Sequence, residues 1–234
     1  MRYSAVILVA GKSTRFSKDV NKVYCLINNK PVFRYSFDIF YNDERCNEII
    51  IVHNDYDMLS KFIQDIDYDS NHNLHINKKR IYLVTGGKTR NESVLNGLNK
   101  VSNKFVLVHD GARPVITKDL IDRVLNGFNY SNAVSVSLNV TDTIKEVNED
   151  KVTTLNRNNL LSVQTPQGSK ATLLREVLQK VLENNDDVFD DMEAIEKYSQ
   201  EIPYFVQGDK RNIKLTTVED IEILELYLNK IGEK

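Results

Sequence analysis

The sequence predicts a three-layer α/β fold with a mostly parallel sheet of about six to eight strands. Strand-like and helix-like segments alternate at least four times in the first 140 residues. The first two strand-like runs, Ala5–Val9 and Glu48–His53, are apolar with almost no alternation, as in strands covered on both faces. Polar turns carrying Gly, Lys, Arg or Asp follow these strands directly, where an open α/β sheet binds its ligands.

The elements follow in order. Ala5–Val9 is the first strand, and Gly11 to Ser17 is a polar turn. Pro31 to Tyr41 has helical spacing, with Val32, Tyr35, Ser36 and Ile39 on one side. Glu48–His53 is a strand, Asp55 to Ile66 a helix, and the Asn- and His-rich stretch Asp67 to Lys79 a surface loop. Ile81–Val84 and Phe105–His109 are strands, with a helix over Asn91–Asn99 between them. Thr117 to Gly127 is a helix with Thr117 as its N-cap. Leu120 three residues on means there is no capping box. Ala133–Val140 is a further strand. Thr143–Val147 and Val152–Leu155 flank Asn148-Glu149-Asp150 and read as a hairpin that interrupts the αβ rhythm. A short strand ends before Thr165-Pro166-Gln167. Helices over Lys170–Leu182, Asp190–Ser199 and Val218–Leu228, with a strand over Ile202–Val206, complete the chain.

Composition excludes several function classes. A chain of 234 residues supports one sizeable core, read as a single domain over 1–234 with an excursion at about 141–157. The 31 Lys and Arg against 33 Asp and Glu give a net charge of -2, which argues against bulk nucleic-acid binding and against an acidic solvating tail. Cys25 and Cys46, the two cysteines, exclude a disulfide scaffold and suit a reducing cytoplasm. No apolar run approaches a membrane span, and the opening run is too brief for a signal peptide.

The candidate site residues lie in the strand-end turns. Ala10-Gly11-Lys12-Ser13-Thr14-Arg15-Phe16 offers backbone N–H groups to an anion, and Lys12, Arg15, Lys18 and Lys22 add positive charge. It is neither a Walker loop nor a dinucleotide fingerprint. Gly86-Gly87 lets the chain pass close to a ring or phosphate, with the Ser93 hydroxyl nearby. Asp110 opens the Gly111-Ala112-Arg113-Pro114 turn and is a natural Mg²⁺ ligand beside phosphates; His109 reads as a packing or hydrogen-bonding residue. Lys214 sits in an apolar-flanked segment where a solvated lysine is unexpected, and Asp190 reads partly as a helix N-cap. No nucleophile elbow and no His/Cys/carboxylate metal cluster is present. Electrostatic catalysis on phosphate groups, with a divalent ion, is what these residues suit.

Taken together, the motifs resemble one family. Ala10 to Phe16 followed by Asn21-Lys22-Val23-Tyr24 resembles Ala-Gly-x-Gly-x-Arg-Met and Pro-Lys-Gln-Tyr of the 2-C-methyl-D-erythritol 4-phosphate cytidylyltransferases. Gly86 to Val94 resembles their Gly-Gly-x-x-Arg-x-x-Ser-Val, and Val108 to Pro114 their Val-His-Asp-Ala-Ala-Arg-Pro. Asp142-Thr143-Ile144-Lys145, Arg157 to Gln167, Phe189 to Met192 and Gly208 to Asp220 match in order, so the resemblance covers nearly the whole chain. Ser13, Phe16, Leu161 and Phe189 depart from it: they stand where the family has Gly, Met, Trp and Thr.

The resemblance implies a nucleotidyltransferase that moves CMP from CTP to a polyol phosphate and releases pyrophosphate. Lys22 and Lys214 would hold the pentacoordinate phosphorus, and Arg15 the β- and γ-phosphates. Mg²⁺ would bridge the phosphates, with Asp110 as the protein's ligand. CTP would lie over Ala10, Gly11, Lys12 and Ala112, with Ser93 and the Gly86-Gly87 backbone reading cytosine and ribose. Arg113, Thr143, Arg157, Thr165 and Asp190 would hold the acceptor. The hairpin would reach across a homodimer, and Arg157 would serve the partner's site. D-ribitol 5-phosphate, the acceptor of a sister family, is the alternative to 2-C-methyl-D-erythritol 4-phosphate. Neither nucleic acid nor membrane is an expected partner.

Overall fold

The computed structural model describes residues 1–11, 16, 21–63, 74–76 and 79–232. Its centre is an eight-stranded sheet. Six of the strands are β1 (Tyr3–Leu8), β4 (Cys46–His53), β6 (Lys79–Thr85), β7 (Phe105–Asp110), β8 (Ala133–Asn139) and β12 (Tyr204–Gln207). The other two are β5 (Leu74–Ile76) and the ten-residue β11 (Leu161–Lys170). The spatial order is β12-β8-β11-β7-β1-β4-β6-β5. The pairings β1–β4, β1–β7, β4–β6 and β12–β8 are parallel; β11 runs antiparallel to both neighbours, and β5 antiparallel to β6. Two short ladders stand apart from this sheet: β2 (Leu26–Ile27) with β3 (Lys30–Pro31), and β9 (Lys145–Asn148) with β10 (Lys151–Thr154).

Strand side chains alternate between faces, and here both faces are apolar. Ala5, Ile7, Ile49, Ile51 and Leu107 enter one core. There they meet Phe33, Phe37 and Phe40 of α1 (Val32–Asn42) and Leu120, Ile121 and Val124 of α4 (Lys118–Gly127). Leu224 of α7 (Asp220–Gly232) joins them. Val6, Ile50, Val52, Val106 and Val108 enter the other core, against α3 (Arg90–Leu98), α5 (Ala171–Glu183) and α6 (Asp191–Tyr198). Double coverage accounts for the near-continuous apolar runs in the sequence.

Several boundaries differ from the sequence expectation. The helix expected over Asp55–Ile66 is α2 (Tyr56–Lys61), capped by the Asp55 carboxylate on the Met58 N–H at 2.9 Å; residues 64–66 lie outside the described residues. Within the stretch expected as a loop, Leu74–Ile76 pairs with β6. Thr165-Pro166-Gln167 was expected after a short strand, yet it lies inside β11. Proline lacks the ladder donor and reads as a strand end; the sheet accommodates it by shifting register between Val163 and Gln167. Thr117 caps α4 as expected, accepting from the Leu120 N–H at 3.3 Å.

The end of the sheet at the strands' amino termini is closed by Glu48, which is fully buried. Its carboxylate takes the Ser102 N–H at 3.0 Å, the Ser4 hydroxyl at 2.5 Å and Asn103 Nδ2 at 3.1 Å, and pairs with Arg80. The opposite end is left open for the site.

Candidate active site

β1 is the point where strand order reverses: the chain places β4 on one side of it and β7 on the other. Connections therefore diverge above β1 and leave a crevice at its carboxyl end. Leu8 lies level with Val52 and Asp110, and His53 level with Thr85, so the turns after four strands meet there. They surround a cleft of about 390 Å³. Ala10, Gly11, Lys22, Gly87, Ser93, Asp110, Ala112 and Lys214 all line it, although they come from distant stretches of the sequence.

The loops that follow β1, β4 and β6 are locked together. Asn54, just after β4, donates to the Ala10 carbonyl at 2.6 Å. A Cβ on Gly86 would sit 2.6 Å from the Ala10 Cβ and 2.7 Å from Asn54 Oδ1, so only glycine lets the loops meet. The Ser93 hydroxyl accepts from the Gly87 N–H at 3.0 Å and donates to the Thr89 carbonyl at 2.8 Å. It thus shapes the Gly-Gly loop. Thr89 caps α3 through the Glu92 N–H at 3.1 Å, while the Glu92 carboxylate reaches back to the Lys88 N–H at 2.6 Å.

Charge is concentrated at the end of β7. Lys214 Nζ lies 2.7 Å from Asp110 Oδ2, Arg113 Nε 3.9 Å from the same oxygen, and Arg90 Nε 3.9 Å from Oδ1. Burial alone would push the Asp110 carboxyl up, yet Lys214, Arg90 and Arg113 hold it well below the usual carboxylate range. His109 is buried, and desolvation brings its imidazole down to about 4. Nε2 faces the Arg113 carbonyl at 3.0 Å and Nδ1 the Thr165 hydroxyl at 3.1 Å, so it is a hydrogen-bonding residue of the core.

The acceptor-side candidates divide into two groups. Arg113, Thr165 and Asp190 do not line the cleft; they are engaged with groups around the end of β7 and the start of α6. Arg113 donates to the Asn212 carbonyl at 2.8 Å, and the Thr165 hydroxyl accepts from the Asp110 N–H at 3.1 Å. Asp190 caps α6 on the Glu193 N–H at 2.8 Å and takes Gln167 Nε2 at 2.8 Å. Thr143 and Arg157 lie on the exposed excursion and do not line the cleft; Arg157 donates to its own chain's Thr141 carbonyl at 2.6 Å. Lys12 and Arg15, expected at the phosphates, lie outside the described residues, as does Ser13.

A family model described as 2-C-methyl-D-erythritol 4-phosphate cytidylyltransferase matches residues 3–230. The chain belongs to this cytidylyltransferase family. It is accordingly an enzyme, a nucleotidyltransferase of that class. The cytidylyltransferase of Clostridium novyi is 36% identical over 233 residues, covering 97% of this chain and 96% of the relative. That of Caldanaerobacter subterraneus is 37% identical over 241 residues, covering 98% and 100%. Among solved structures, the 4-diphosphocytidyl-2C-methyl-D-erythritol synthase of Anaerococcus prevotii superposes with a TM-score of 0.83 at 28% identity, covering 97% of this chain and 96% of that one.

Membership in the cytidylyltransferase family makes CTP the co-substrate, and residues overlooked in the sequence stand out in the cleft. Arg90 and Asn54 line the cleft, and Asp191 stands fully buried behind Arg90. Arg90 lies inside the quoted glycine motif, Asn54 follows a strand at the same edge as Gly11, and Thr89-x-x-Glu92 is a capping-box spacing. Among the described residues no group of three or more His, Cys, Asp or Glu side chains is placed to hold a metal ion. Asp110 is the one carboxylate lining the cleft among them. Such a donor set fits a Mg²⁺ ion that keeps most of its ligands from phosphate and water.

Proposed function

We propose that the cleft at the end of β1 catalyses transfer of CMP from CTP to 2-C-methyl-D-erythritol 4-phosphate in one displacement. An oxygen of the acceptor phosphate attacks the α-phosphorus, the bond to the β-phosphate oxygen breaks, and pyrophosphate leaves. The acceptor is already anionic, so no general base is required; placement and neutralisation of charge carry the rate. Lys22 and Lys214 hold the α-phosphate as negative charge shifts onto its oxygens. Arg15 and Lys12 take the β- and γ-phosphates. Gly86 and Gly87, their loop set by Ser93, border the base, with Ala10, Gly11 and Ala112 beneath the nucleotide. Asp110, the one carboxylate lining the cleft among the described residues, would hold Mg²⁺, which would neutralise phosphate charge when bound.

Arg113, Thr165 and Asp190 form the near wall of the acceptor pocket. Thr143 and Arg157 complete it from the partner of a homodimer. The chain acts as one nucleotidyltransferase domain in the cytoplasm, with residues 141–157 as its arm. The observation that carries the reading is the Lys214 ammonium held 2.7 Å from Asp110 inside a cleft built at the sheet's switch point. The test is pyrophosphate release from CTP with each acceptor in turn. Release with 2-C-methyl-D-erythritol 4-phosphate, and far less with D-ribitol 5-phosphate, is expected; the reverse order would assign the other acceptor.

A further inference from the structure

Arg90 is the first residue of α3, and Asp191 the first residue of α6. Their side chains meet where the two helices begin: Arg90 Nη1 lies 2.7 Å from Asp191 Oδ1, and Nη2 3.4 Å from Oδ2. The other side of the guanidinium faces Asp110 Oδ1 at 3.9 Å, while Lys214 holds Oδ2 at 2.7 Å. Asp110 therefore has Arg90 on Oδ1 and, on Oδ2, Lys214 with Arg113 Nε 3.9 Å away. Asp191 is fully buried, and its backbone N–H is fixed by Gln167 Oε1 at 3.0 Å. It cannot reach a ligand in the cleft and acts only through Arg90.

We propose that Arg90 is a positioning residue of this site: anchored by Asp191, it fixes the Asp110 carboxylate, and through it the Lys214 ammonium, at the reacting phosphate. A buried ion pair adds little stability over apolar side chains of the same size, so its placement is what matters. Without Arg90, Oδ1 loses its cation and the Asp110 carboxylate turns toward the side of Lys214 and Arg113. The ammonium is then drawn toward the cleft floor, away from the phosphate. The proposal rests on Lys214 acting at the α-phosphate.

The experiment is steady-state kinetics of the full chain, varying CTP at saturating acceptor, for Arg90→Met, Arg90→Lys and Asp191→Asn, with Lys214→Ala alongside. Arg90→Met and Asp191→Asn should each lower kcat about tenfold or more, with KM for CTP changed less than about threefold, the signature of an interaction made in the transition state. Arg90→Lys should recover part of the loss, because one ammonium can face one carboxylate. The Arg90→Met/Asp191→Asn double variant should be no slower than Arg90→Met. Wild-type kcat in Asp191→Asn overturns the proposal, as does a raised KM at unchanged kcat in Arg90→Met, which would make Arg90 a direct nucleotide ligand. If Arg90→Met does not fold, Arg90→Lys and Asp191→Asn decide by the same split. Full activity in Lys214→Ala would instead remove the placement of Lys214; loss there with an unaffected Asp191→Asn removes the role of Arg90 alone.

Discussion

The ammonium of Lys214 lies 2.7 Å from Oδ2 of Asp110, although one follows the last strand of the sheet and the other ends β7. The Leu215 N–H donates to the Ala112 carbonyl at 2.8 Å, which fastens the late segment onto the turn after β7. The lysine is thereby delivered to the cleft and oriented before any ligand arrives. Preorganised charge of this kind costs no rearrangement during reaction.

Lys214→Ala and Lys22→Ala should each lower kcat by roughly 10²–10³-fold, the usual effect of deleting one preorganised donor to a charged transition state, with a smaller change in KM for CTP. Initial rates of pyrophosphate release at saturating CTP and acceptor check this. Equal turnover of wild type and either variant would remove that lysine from the transition state.

Asp110→Asn should raise the Mg²⁺ concentration needed for half-maximal rate and lower the maximal rate. The substitution removes the one carboxylate lining the cleft among the described residues and leaves Lys214, Arg90 and Arg113 without their shared counter-charge. A more positive cleft repels a divalent cation, and Lys214 loses its anchor. A Mg²⁺ titration at fixed CTP superimposable on that of the wild type would refute both consequences.

Glu48 should make stability depend on pH without touching the site. Burial disfavours its charge, but hydrogen bonds from Ser102 and Ser4 and the charge of Arg80 bring its carboxyl below the ordinary 4.5. A carboxylate with a depressed folded-state pKa contributes stability that is present above its unfolded value and lost as pH falls through the folded one. The wild type should therefore lose stability below pH 4.5, and Glu48→Gln should lose less over the same interval, starting from a lower value at pH 7. Urea unfolding of both chains at pH 7 and at about pH 3.5 measures this. Parallel losses in the two chains would remove Glu48 as the source.

The β-layer was legible because apolar strands covered on both faces leave an unmistakable run, as in Ile49 to Val52. The cleft's parts were legible because strand-end turns in such a fold carry the ligand-binding residues. What the sequence hid was connectivity across space. Nothing near Arg90 in the chain points to Asp191, and Ser93 reads as a free hydroxyl until its two partners within the loop are seen. The position of Thr165 misled for a related reason. Its neighbour Pro166 reads as a strand terminator, whereas β11 carries both through the sheet and turns the Thr165 hydroxyl onto His109 and Asp110.

The arm offers the sharpest test of assembly. Val147 and Val152 are directly paired across β9 and β10, and so share one face of the hairpin. They are 70% and 64% exposed in the single chain, an apolar pair that its own domain does not cover. Arg157 at the arm's base is exposed and lines no part of its own cleft. A second copy related by a two-fold axis would cover the valines and bring Arg157 to the neighbouring acceptor pocket, where a guanidinium pairs well with a phosphate. Arg157→Ala and Lys22→Ala chains should each be nearly inactive alone. In a mixed dimer with exchanged arms, the cleft of the Arg157→Ala chain keeps its own Lys22 and receives an intact Arg157, while the other cleft carries both lesions. Random reassortment makes half the dimers mixed, each with one of its two sites intact, so activity should return to about a quarter of wild type. If the arm instead serves its own chain, every site retains one lesion and mixing restores nothing. Recovered pyrophosphate release after co-refolding, with the mixed dimer isolated by a tag on one chain, is therefore the expected result; an inactive mixed dimer would confine Arg157 to its own subunit.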